Sequence, residues 1–134
     1  QVRHEDVLKV TMAGAAIIAA CRGDVDEDEE LFLRRTMAEA DLLRHMDIDH
    51  GLELFREFAV SEDVLARDGQ VFAMLDRASE MKGGPQIAHA IAVGMTGVHG
   101  TPTQKECEAL VDISKRLGQE APKWALGVEE KQDG

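Results

Sequence analysis

Two stretches of this chain are apolar on nearly every face, and the segments between and after them are striped. From Glu5 to Arg22 the first stretch ends in Ala13, Ala15, Ala16, Ile17, Ile18, Ala19 and Ala20. A helix with no polar face has to be buried on all sides, so a central helix is predicted there. Gly23 stops it, in the place where a left-handed glycine ends helices. The second stretch, Pro85 to Val98, carries Ile87, Ala88, Ala90, Ile91, Ala92, Val93 and Met95. It is expected to be buried like the first. Gly83-Gly84 breaks the chain before it, Pro85 suits its first position, and Gly100 ends it.

The striped segments read as amphipathic helices. Asp26 and Glu29 have the spacing of a capping box, in which each side chain accepts from the other residue's backbone N–H. Phe32, Leu33, Thr36, Met37, Ala40 and Leu43 follow at helical spacing. Asp47 or Asp49 caps a third helix bearing Leu52, Phe55, Phe58 and Ala59. Ser61 caps a fourth, striped by Val71, Phe72, Leu75, Ala78 and Met81, which Gly69 kinks or splits. Thr103 caps a sixth, with Glu106 three residues on and Ala109, Leu110, Ile113 and Leu117 as its stripe, and Gly118 ends it. A final turn, Ala121 to Gly127, presents Trp124. There is no Tyr, and no run of β-branched residues alternates with polar ones. The prediction is an all-α bundle of six to seven helices, one domain over 1–128, with a mobile polar tail over 129–134.

Composition narrows the class. A chain of 134 residues with 44% hydrophobic residues can build one real core. Its longest apolar run, Met12 to Cys21, falls well short of the roughly 18–20 residues that cross a bilayer. No basic-then-apolar leader opens the chain, and Gln1 reads as a trimmed start. The net charge is −11, and six of the 26 acidic residues lie between Asp24 and Glu30. So acidic a chain, with no basic stripe, excludes nucleic acid as a partner. Anionic membrane surfaces are disfavoured too, and a basic protein partner or divalent cations fit better. Cys21 and Cys107 match no metal spacing and are expected as free thiols in a reducing cytoplasm.

One pattern occurs twice, offset by 77 residues. A buried helix is followed by Gly23, Val25, the cap Asp26, Glu29 and Leu33. Another is followed by Gly100, Pro102, the cap Thr103, Glu106 and Leu110. Two helical hairpins related by a pseudo-twofold axis would set both buried helices at the centre. This doubled pattern resembles the tellurite-resistance TerB-like family, and Asp47 to Ala59 looks like that family's connecting helix. The resemblance covers Asp6 to Leu126. It implies an all-helical bundle built on this duplication. It also implies a non-enzymatic regulatory or scaffold module in a stress-response or membrane-associated complex, acting through protein contacts.

The resemblance further implies a divalent-metal site. In the family, aspartates just before the two glycines join the later glutamates in an acidic cluster. Here the glutamates are Glu29 and Glu106, but Arg22 and His99 stand where the aspartates would be. The candidate ligands are therefore Asp24, Glu29, His99 and Glu106, for calcium, magnesium or zinc. Arg22 opposes a cation there, because its charge is fixed and it has no lone pair to give. The competing expectation is a pair of ionic bridges, Arg22 to Glu106 or Glu29 and His99 to the other glutamate.

Other constellations carry less. Asp24-Val-Asp26-Glu-Asp28 opens like a calcium loop, but Glu29 and Arg35 stand where glycine and glutamate are required. His45, Asp47, Asp49 and His50 read as caps and a solvated turn, with a transition-metal group as the alternative. His89 is expected to be a hydrogen-bonded, buried histidine. Cys107 sits at a helix start, which lowers a thiol pKa, but Glu106 and Glu108 work against that. Gly94 and Gly97 leave room for a small molecule or for close helix packing. No nucleophile elbow or phosphate loop occurs, so no catalytic residues are assigned.

Overall fold

A computed structural model describes residues 4–23, 25–59 and 64–126. Six α-helices account for most of them: α1 His4–Ala20, α2 Glu27–Glu39, α3 Ile48–Ala59, α4 Val64–Arg77, α5 Gly84–Thr96 and α6 Gln104–Arg116. A short 3-10 turn, Ala78–Glu80, extends α4, and a single helical turn occupies 123–126. No strand occurs among the described residues. Ser61, Asp24 and the expected tail 129–134 lie outside the described residues.

α1 is the axis of the bundle. Every residue from Val10 to Ala19 is buried, and α3, α4, α5 and α6 all pack against it. Its small residues let these neighbours approach closely, and interiors are close-packed rather than loose. The second apolar helix is less enclosed than its sequence predicts. Ala88, Ile91, Ala92 and Met95 of α5 are buried, but Ala90 is exposed and Ile87, His89 and Val93 are half-buried. α5 packs chiefly on α1, with α6 and α2 beside it, and its remaining face meets solvent. Alanine supplies too little apolar area to demand burial, which is why an all-apolar reading overstates this helix.

Element ends follow local chemistry. Asp47 Oδ1 accepts from the backbone N–H of Asp49 at 3.0 Å and of His50 at 3.2 Å, so Asp47 is the residue that starts α3. α2 stops at Glu39, earlier than its apolar stripe suggests, because Ala40 turns to an extended conformation (φ −77°, ψ 126°). The chain then re-forms helical turns, with Arg44 N–H donating to Ala40 C=O at 2.8 Å, and these keep Leu43 in the core. α4 runs unbroken through Gly69. Its α-helix ends at Arg77, short of Met81, which follows the 3-10 turn. The room left by Gly94 is filled by protein: a Cβ built there would lie 2.3 Å from Phe32 Cζ. The α2 ring therefore seats directly on the α5 backbone, and packing rather than a ligand accounts for this glycine.

Candidate functional site

Two helix junctions meet at one side of the bundle. At each, an apolar helix ends, a glycine with positive φ turns the chain, and a capped helix begins. Gly23 has φ 111° and Gly100 has φ 93°, conformations that side-chain-bearing residues rarely adopt. Both capping boxes form. Asp26 Oδ1 accepts from Glu29 N–H at 3.0 Å, and Glu29 Oε1 accepts from Asp26 N–H at 3.0 Å. Thr103 Oγ1 accepts from Glu106 N–H at 3.1 Å, and Glu106 Oε1 accepts from Thr103 N–H at 2.8 Å. Among the described residues, Glu29 and Glu106 are the charged ones drawn into the core, at 2% and 1% exposure.

The junctions are tied crosswise. Arg22, from the first, donates through Nε to Glu106 Oε1 at 3.1 Å and through Nη2 to Thr101 C=O at 3.2 Å. His99, from the second, places Nε2 at 3.0 Å from Asp26 Oδ2 and 3.8 Å from Glu29 Oε2. Asp26 and Glu29 thus divide their oxygens, one for the helix start and one toward His99, whereas Glu106 takes both the Thr103 N–H and the Arg22 Nε on the single oxygen Oε1. Burial pushes the Glu29 carboxyl above the ordinary carboxylate range. The Asp26 backbone hydrogen bond pulls it down, as does His99, while the Asp26 and Glu106 carboxylates add to the rise.

The expected ligand set is divided by this geometry. Glu29 and His99 come together, Glu106 goes to Arg22, and Asp24 lies outside the described residues. Asp26 takes the vacant role. Its Oδ2, a Glu29 oxygen and a His99 nitrogen lie within 4.8 Å of one another. Reading Asp26 only as a cap overlooks this, because a cap uses one carboxylate oxygen and leaves the other free. One imidazole nitrogen and two carboxylates, each carboxylate anchored through its other oxygen to a backbone N–H, suit a transition metal or zinc with an open position. The same geometry also suits a plain hydrogen bond from Nε2–H to Asp26 Oδ2.

Elsewhere among the described residues, several polar side chains pair with one another. Arg56 pairs with Glu30, whose carboxyl is held low by that hydrogen bond. Arg34 reaches Asp49 at 3.2 Å. His50 Nε2 lies 2.7 Å from Glu5 Oε1, and that hydrogen bond raises the imidazole pKa. His45 is exposed, so the residues from His45 to His50 disperse into a cap and separate pairs. His89 Nε2 lies 2.9 Å from Ser114 Oγ, while Ser114 donates to Leu110 C=O at 2.7 Å. A carbonyl can only accept, so the serine proton is spent there and the imidazole donates. This pair binds α5 to α6 without activating a nucleophile. Cys107 is a buried thiol, and Cys21, half-buried just past the end of α1, donates through Sγ to Ile17 C=O at 3.3 Å. Burial pushes the Cys107 thiol up, as do Glu106 and Glu108, which disfavours the reactive thiolate.

No helix among the described residues is long and apolar enough to cross a membrane. No family model, no curated protein and no solved structure matches the chain.

Proposed function

We propose that this chain is a non-enzymatic, cytoplasmic module of the TerB-like kind, which regulates or scaffolds a complex through protein contacts. The crossed bridging of the two junctions carries this reading. The buried charged side chains cap helices and hold the halves together, and every buried side-chain polar atom among the described residues has a partner. Nothing in that arrangement pairs a nucleophile with a base. The two capping boxes, two positive-φ glycines and two crossed bridges also support an internal pseudo-twofold duplication. Glu27 and Asp28 stand exposed at the start of α2 beside Leu31, which is 47% exposed. This surface suits a basic partner in a stress-response or membrane-associated complex. Reversing both charges (Glu27→Lys with Asp28→Lys) should abolish co-purification of that complex while the circular dichroism spectrum is unchanged. Undiminished association would overturn the role given to α2. Turnover lost on replacing both Glu29 and Glu106 would overturn the non-enzymatic reading.

A second reading is favoured by the grouping of Asp26, Glu29 and His99: a domain that senses a divalent cation. Metal-stripped protein is titrated with zinc, manganese, calcium and magnesium, following Tm. An ion at 100 times its Kd adds about 2.7 kcal/mol. The shift should vanish in His99→Gln. The absence of a shift with all four ions ends this reading and leaves the first intact.

A further inference from the structure

We draw no further inference here: the strongest candidate, the exposed surface pair Trp124 and Leu126 on the helical turn after α6, carries none because nothing in the structure shows what covers it.

Discussion

The two junctions share a backbone and differ in the cation that crosses between them. Both have a positive-φ glycine, a β-region cap and a buried glutamate closing the box. At Glu106 the crossing group is a guanidinium, which is charged at every physiological pH and here also donates to a backbone carbonyl. At Glu29 it is an imidazole, nearer to Asp26 than to the glutamate. The difference teaches how one scaffold can accept two chemically distinct crossing groups side by side. A guanidinium cannot give up its proton or bind a metal, whereas an imidazole can do either.

Removing the glutamates gives the largest expected contrast. Glu106→Ala leaves the Thr103 N–H and the Arg22 Nε–H without their acceptor, and should cost about 3 kcal/mol. Glu29→Ala loses the same cap bond but only the longer contact to His99, so its cost should be lower, about 1–2 kcal/mol. Urea denaturation of both variants measures the difference, and equal losses would mean that the Arg22 bridge adds nothing.

The glycines supply a control. Added Cβ atoms at Gly23 and Gly100 would meet nothing within 4 Å, so only backbone strain is at stake. Gly23→Ala and Gly100→Ala should each cost about 1–2 kcal/mol, alike within error. A large inequality in their unfolding midpoints would show that the turns, and not only the bridges, distinguish the junctions. The bridging cations come next. Arg22 keeps 28% side-chain exposure and His99 keeps 21%, so both contacts are partly screened by water. Arg22→Gln should cost about 1 kcal/mol, and a double-mutant cycle with Glu106→Gln isolates the bridge.

This comparison was only partly legible along the chain. Capping boxes are contacts three residues apart, so Asp26 with Glu29 and Thr103 with Glu106 are read directly from spacing. The burial of α1 is equally direct, because a helix with no polar face has one solution. The crossing bonds are not, since Arg22 and Glu106 are 84 residues apart and sequence leaves the choice of glutamate open. Asp26 was hidden from the ligand set by its local role. The partial exposure of α5 and the seating of Phe32 on Gly94 are likewise set by how helices assemble. Periodicity says that a face is apolar but does not name what it meets.

The smallest and sharpest contrast is in pH dependence. Burial and neighbouring carboxylates raise the Glu29 pKa above its ordinary value of 4.5. A carboxyl whose pKa is higher folded than unfolded binds more protons in the folded state. Its contribution to stability is therefore full below pH 4.5 and is lost as pH rises through the folded value. Glu29→Gln keeps an acceptor for the Asp26 N–H and removes the charge that burial opposes. In chelator-treated protein, Tm of Glu29→Gln minus Tm of wild type should therefore become more favourable to the variant from pH 4 to pH 7. A difference that stays flat, or moves the other way, would mean that His99 holds Glu29 as a contented carboxylate, and that the two junctions are electrostatically alike after all.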